Sequence, residues 1–221
     1  MESRDWDERY AAGELVWGAE PNRWVVRELA EQAPGRALDV AAGEGRNSIW
    51  LARRGWHVTG LDYSAVALER AERLTADLPD EVADRLTWRH GDARELESPP
   101  EGYDLVLVAY LQLPAEDRRA ALVRAAAALA PGGTLLVIAH DSTNLTGGVG
   151  GPQDPRVLYT PEDVLADLDG AGLQTVRAER VHRPVDAAVG HRPVAGAAVA
   201  DAGAPQRTEA IDALVRLERT A

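Results

Sequence analysis

The sequence predicts an α/β fold: a doubly wound, mostly parallel sheet with helices on both faces and an antiparallel pair at its end. Three observations carry this. Apolar β-type runs alternate with helix-spaced runs along most of the chain, as repeated strand–helix units require. The first strong run, Leu38-Asp39-Val40-Ala41, passes directly into the glycine-containing Ala42-Gly43-Glu44-Gly45-Arg46-Asn47. The last two runs are joined by an Ala-, Gly- and Pro-rich stretch over 184–207 with no helical pattern, which suits an antiparallel pair better than a right-handed crossover.

Each element follows in order. The residues before Pro34 read as helices laid on the core, with Trp6, Tyr10, Trp17 and Trp24 as apolar anchors. Residues 37–41 form a short buried strand. Helical spacing over 47–54 places Ile49, Trp50 and Leu51 on an apolar face, and Gly55 stops it. Residues 57–61 are β-type, and Ser64 is an N-cap for a helix over 65–78. Residues 86–90 alternate weakly and lead into Gly91-Asp92. The dense run Leu105-Val106-Leu107-Val108 within 103–109 is expected of a strand covered on both faces. Pro114 opens an Ala-rich helix to Leu129, and Pro131-Gly132-Gly133 ends it. Residues 134–139 form the fifth strand. Thr160-Pro161-Glu162-Asp163 combines a cap, a first-turn proline and first-turn acids, predicting a helix to about Gly170. Residues 176–181 and 211–217 alternate, as strands near a sheet edge do. The sum is five parallel strands followed by an antiparallel terminal pair.

At 221 residues, 45% hydrophobic and 27% charged, the chain fits a single domain over 1–221. The net charge of −12 disfavours unassisted binding to nucleic acid or to an anionic membrane. Every basic side chain is Arg and none is Lys. Cysteine is absent, which excludes disulfides, thiolate metal sites and a catalytic thiol. The polar start Met1-Glu2-Ser3-Arg4-Asp5-Trp6 lacks the apolar run of a signal peptide, and no apolar stretch reaches membrane-spanning length, so a cytoplasmic protein is expected.

A strand ending in Asp39, a turn through Gly43 and Gly45, and a second strand ending in Asp62 describe a nucleotide-like ligand lying across the carboxyl ends of parallel strands. The chemistry beside the glycines decides which ligand. A pyrophosphate would be repelled by Asp39, whereas a ligand bearing an ammonium and a sulfonium would be attracted. S-adenosylmethionine has both and no phosphate. Gly43 and Gly45 allow close backbone approach to it. Asp62 lies 17 residues after Gly45, near the spacing expected of an acid that takes ribose hydroxyls. Asp92 and the Ala93 N–H follow the third strand, where an adenine edge would lie. Each acid also has a purely local reading, Asp62 as a first-turn acid and Asp92 as a turn former.

Taken together, Leu38 to Asn47, Gly60-Leu61-Asp62, Gly91-Asp92-Ala93, Tyr103 to Leu113 and Leu129 to Ile138 resemble, in order and spacing, the motifs of class I S-adenosylmethionine-dependent methyltransferases. The resemblance implies a Rossmann-like, seven-stranded sheet with an antiparallel terminal strand. Ala41 stands where many members have glycine. A narrower resemblance, through Trp6-Asp7-x-x-Tyr10, Trp17-Gly18 and Gly45-Arg46-Asn47-Ser48 with Leu51-Ala52, is to the tellurite-resistance and thiopurine methyltransferase group. It implies that residues 1–33 fold over the cofactor as a helical cap. The cofactor set implied is Trp17, Asp39, Ala41, Gly43, Gly45, Asn47, Asp62, Tyr63, Asp92, Ala93, Ala109 and Tyr110.

Methyl transfer needs alignment, water exclusion and, for some acceptors, a base, but no metal or covalent nucleophile. The acceptor is expected beyond strands four and five, near Tyr110 and His140-Asp141. The narrower resemblance points to Asp141, His182, Arg183 and Arg192 for acceptor handling, with His182 as a base and the arginines holding an anionic group. The stretch Gly147-Gly148-Val149-Gly150-Gly151-Pro152 reads as a mobile flap. His140, His182 and His191 are too far apart in sequence to argue a metal site. The partner expected is a small-molecule acceptor, with no nucleic acid or membrane, on a monomer or homodimer. A nicotinamide-dependent oxidoreductase and a non-catalytic S-adenosylmethionine-binding module are the competing readings.

Overall fold

The computed structural model describes residues 6, 7, 10, 20–185 and 208–220. Seven strands run β1 (Arg36–Val40), β2 (His57–Asp62), β3 (Leu86–His90), β4 (Tyr103–Ala109), β5 (Leu129–His140), β6 (Leu173–Pro184) and β7 (Glu209–Arg219). They form one sheet in the order β3-β2-β1-β4-β5-β7-β6. β1 to β5 are parallel, and β7 pairs antiparallel with both β5 and β6. The α/β, doubly wound, mostly parallel sheet with an antiparallel terminal strand is therefore present as expected.

The α-helices whose bounds lie among the described residues are α1 (Arg23–Leu29), α2 (Arg46–Arg53), α3 (Ala65–Ala76), α4 (Asp80–Ala83), α5 (Ala115–Ala127), α6 (Asn144–Gly147) and α7 (Pro161–Asp167). Strand alternation divides the core between two faces. Ala37, Leu105, Leu107, Leu136, Ile138 and Leu214 pack with Trp24, Val25 and Leu29 of α1, Leu51 of α2, and Trp56. Leu38, Val40, Val106, Val108, Val137 and Val215 pack instead with Leu122 and Ala125 of α5 and Val164 of α7. Caps work as the sequence implies: the Ser64 hydroxyl accepts from Ala67 N at the start of α3, and Thr160 with Asp163 closes a full capping box on α7.

Three differences have physical causes. β5 begins at Leu129 rather than 134, because Pro131-Gly132-Gly133 lie inside a bulge; the β4–β5 register jumps between Tyr103↔Leu129 and Leu105↔Thr134. β1 ends at Val40, since Ala41 has left-handed backbone at φ 60°. β7 lies one place in from the sheet edge rather than on it, and residues 210–215 are all buried between β5 and β6. β6 is the edge strand.

Candidate active site

The two central strands β1 and β4 neighbour each other, and the chain leaves them in opposite directions. The crevice above their carboxyl ends is the place where such sheets hold ligands. One wall is the loop after β1. Ala41 (φ 60°), Gly43 (φ 57°) and Gly45 (φ 84°) are all left-handed. At Gly45 a Cβ would stand 2.4 Å from the Trp88 ring, so only glycine fits under that ring. The opposite wall begins at Ala109 and Tyr110, and Tyr110 is also left-handed, at φ 61°. Two non-glycine residues in this region, each ending a central strand, mark a backbone held in shape by its surroundings.

Asp39 is fully buried under this loop. Its Oδ2 accepts from the Ser48 hydroxyl at 2.7 Å, while Oδ1 has no hydrogen-bond partner. Burial pushes its carboxyl up to about 7, against the pull of Ser48, and the neighbouring Asp62 charge adds to the rise. Asp62 braces two loops: Oδ2 accepts from Gly43 N at 2.7 Å and Oδ1 from Ser64 N at 2.8 Å. Burial raises its pKa and those N–H groups oppose it. Each oxygen keeps a second lone pair.

The remaining expected cofactor residues are placed as follows. Asp92 caps a 3-10 turn (Ala93–Glu95), and both its oxygens take the Arg94 guanidinium, whose hydrogen bonds hold its carboxyl below the ordinary range. Ala93 is buried beside it. Tyr63 is partly exposed, with its carbonyl 3.1 Å from His90 Nε2. Asn47 spends its Oδ1 on the backbone N–H of Asn22, 2.9 Å away. It therefore fastens the segment before α1 to the glycine loop. Asp7 reaches the start of α3, accepting from the Ser64 hydroxyl at 2.5 Å. Trp17, Arg192 and His191 lie outside the described residues.

The structure separates the residues expected to handle the acceptor. Asp141 is buried, caps Thr143 through N–H and hydroxyl, and pairs with Arg180 Nε at 2.9 Å. His182 is exposed and sits 3.4 Å from Glu209. Arg183, the next residue on β6, points to the opposite face, where its Nε donates to Asp212 at 3.0 Å. Asp141 and His182 thus lie on the α7 side, and only Arg183 joins the α1 side, with Asp39. Gly147 to Pro152 is also less free than a flap: Asn144 accepts from Ile211 N at 2.8 Å and donates to the Gly150 carbonyl at 2.9 Å. Val149 N donates to the Glu209 carbonyl at 2.9 Å.

What sequence reading missed is Asp212, fully buried on β7. Its Oδ2 accepts from Tyr110 Oη (3.0 Å), Arg183 Nε (3.0 Å) and Trp24 Nε1 (3.3 Å). Its Oδ1 lies 3.3 Å from Nδ1 of His140, the last residue of β5. Although burial works to raise it, His140 and Arg183 hold this carboxyl below the ordinary range. Asn22 Nδ2 donates to Tyr110 Oη at 3.1 Å. A continuous polar chain, Asn47–Asn22–Tyr110–Asp212–His140, thus joins the glycine loop to the ends of β5 and β7. The one available signal was an acid inside the apolar run Ala210-Ile211-Asp212-Ala213-Leu214. Among the described residues, no cluster of His, Cys, Asp or Glu has the makings of a metal site. No described helix is long and apolar enough to cross a membrane.

The sheet order and the crevice define a Rossmann-like α/β architecture. A family model described as a methyltransferase domain matches residues 37–133, the stretch from β1 into β5 that carries the glycine loop. An uncharacterised methyltransferase of Mycobacterium tuberculosis is 36% identical over 112 residues, 51% of this chain and 54% of that protein. A demethylmenaquinone methyltransferase of Clavibacter sepedonicus is 32% identical over 113 residues, 51% of this chain and 44% of its own. The chain thus spans about half the length of these curated relatives. Among solved structures, the N-methyltransferase NodS of Bradyrhizobium japonicum, in complex with S-adenosylhomocysteine, superposes over 100% of both chains with TM-score 0.67 and 21% identity. A structure described under the conversion of a disulfide bond into a thioacetal group during echinomycin biosynthesis gives TM-score 0.70 at 19% identity, over 99% of this chain and 92% of that one. At such identities the likeness concerns the fold.

Proposed function

We propose that the protein is an S-adenosylmethionine-dependent methyltransferase that moves a methyl group to a small-molecule acceptor by in-line displacement. The observation that carries this is the Asp39 Oδ1, buried at the glycine loop with no donor. A buried acceptor of this kind calls for a donor from a ligand, and an ammonium supplies one. A pyrophosphate has no hydrogen to offer and bears the wrong charge, which counts against a nicotinamide dinucleotide in the same crevice. The match of 37–133 to a methyltransferase domain supports the same reading.

S-adenosylmethionine, when bound, supplies a methyl carbon already activated on a sulfonium. This chain's residues bind and orient. Asp39 takes the ammonium, and Ala41, Gly43 and Gly45 let the backbone come close. Asp62 keeps lone pairs for ribose hydroxyls, and Asp92 with Ala93 N–H faces adenine. Ala109 and Tyr110 form the wall beyond which the acceptor sits, Tyr63 belongs to the same lining, and Trp17 is proposed as a further cofactor contact. Asn47 acts through Asn22, positioning the residues that lead into α1. Arg183 is the acceptor-side candidate on the crevice face; Asp141 and His182 act on the far side of the sheet from it, and Arg192 completes the proposed set.

Isothermal calorimetry with S-adenosylmethionine and S-adenosylhomocysteine is expected to show micromolar binding. No heat with either, or tight quenching by NADH instead, overturns the assignment.

A further inference from the structure

His140 sits at the carboxyl end of β5, on the same face of the sheet as Asp39 and Asp212. Its ring is held from three sides. Tyr110 stacks against it, with centroids 4.7 Å apart and planes tilted by 33°. The backbone of Gly151 covers it so closely that a Cβ there would stand 2.9 Å from its Cδ2 and Cγ. Asp212 Oδ1 faces Nδ1 at 3.3 Å. The backbone N–H of His140 is fixed as well, donating to Gln112 Oε1 at 2.9 Å. The charged or titratable groups around it are Asp212 from β7, Tyr110 after β4 and Arg183 from β6.

Neither His140 Nδ1 nor Asp212 Oδ1 makes a hydrogen bond, and both are buried; a proton on Nδ1 is the arrangement that serves this 3.3 Å approach, and it leaves Nε2 its lone pair. The carboxylate also stabilises the imidazolium formed when Nε2 takes a proton. We propose that His140, oriented by Asp212, is the base for methyl transfer, and hence that the acceptor carries a proton on its attacking atom, as an amine, hydroxyl or thiol does. The inference rests on the methyltransferase reading and replaces His182 in that role. As the attacking atom bonds to the methyl carbon, the carbon–sulfur bond breaks with its electron pair left on sulfur. The proton of the attacking atom passes to His140 Nε2. His140 is the catalytic residue, and Asp212 is a positioning residue that acts through it.

The full chain, labelled with 15N at histidine, tests this by long-range proton–nitrogen correlation at pH 8, with His140→Gln identifying the resonance. An Nδ1-protonated ring is expected, with that preference lost in Asp212→Asn. By calorimetry His140→Gln binds S-adenosylhomocysteine within about twofold of wild type. On any amine, hydroxyl or thiol compound that wild type methylates, His140→Gln loses roughly 10²–10⁴-fold in kcat/KM and loses the acid limb of the pH profile. An Nε2-protonated ring at pH 8, or full activity in His140→Gln, overturns the inference. Calorimetric silence of the wild type with S-adenosylhomocysteine overturns the methyltransferase reading instead, and leaves the tautomer result to be judged by itself.

Discussion

The ends of β1 and β2 and the ends of β5 and β7 are built by different means. At the first, the contacts are short-range: Ser48 to Asp39 spans nine residues and Gly43 to Asp62 nineteen. Glycines and backbone N–H groups do most of the bonding. At the second, Asp212 gathers Tyr110 from 102 residues away and Trp24 from 188, and side chains do nearly all of it. One region is a local turn that folds much the same wherever its neighbours supply a sheet. The other exists only when the whole sheet is assembled. The first is therefore expected to respond residue by residue, the second to fail as a unit.

Asp212→Ala is the harshest test of that contrast. It leaves three donors and His140 without their carboxylate in a buried site, and a loss of about 3–5 kcal/mol in urea unfolding is expected. A loss below about 1 kcal/mol would show that the network is not cooperative. Asp39 tests the other region through pH. Its folded pKa of about 7 stands above the ordinary 3.8, so the folded state favours the protonated acid. That contribution to stability is complete below pH 3.8 and is lost as pH rises to about 7. The scale is on the order of 4 kcal/mol. Asp39→Asn should flatten this slope, measured by unfolding between pH 4.5 and 8. A cationic donor favours the ionised acid, so affinity in calorimetry should climb through the same window and level off above it. Gly45→Ala comes next. It forces a Cβ onto the Trp88 ring at φ 84°, and about 2–3 kcal/mol should be lost together with donor binding. Ala41→Gly is the mildest. It relieves left-handed alanine at φ 60°, and the gain, set against glycine's unfolded-state entropy, should be about 0.5 kcal/mol in thermal or urea unfolding.

The same contrast explains what could be read in advance. The glycine loop, Asp39, Asp62 and the Ser64 and Thr160 caps depend on residues no more than nineteen positions apart, so their pattern survives in the sequence. The placement of β7 depends on which strand pairs with which, and alternation over 211–217 does not encode that. Read only as lying near a sheet edge, it offered no reason to bury Asp212. His182 and Arg183 are adjacent in sequence and looked like a pair. Strand geometry sends neighbours to opposite faces, so one reaches Asp212 and the other Glu209. The bulge over Pro131-Gly133 misled for a related reason, since a helix stop and a strand irregularity use the same residues.

The position of β7 also bears on synthesis. β6 has no neighbour in the sheet except β7. A nascent chain that has emerged only as far as the residues before Glu209 can complete the parallel sheet through β5, while the exposed edge of β5 and the whole of β6 stay unpaired. The glycine loop would by then have formed, with the imidazole of His140 still lacking its carboxylate. Docking of β7 between β5 and β6 thus both covers the open edge and brings the Asp212 carboxylate to His140.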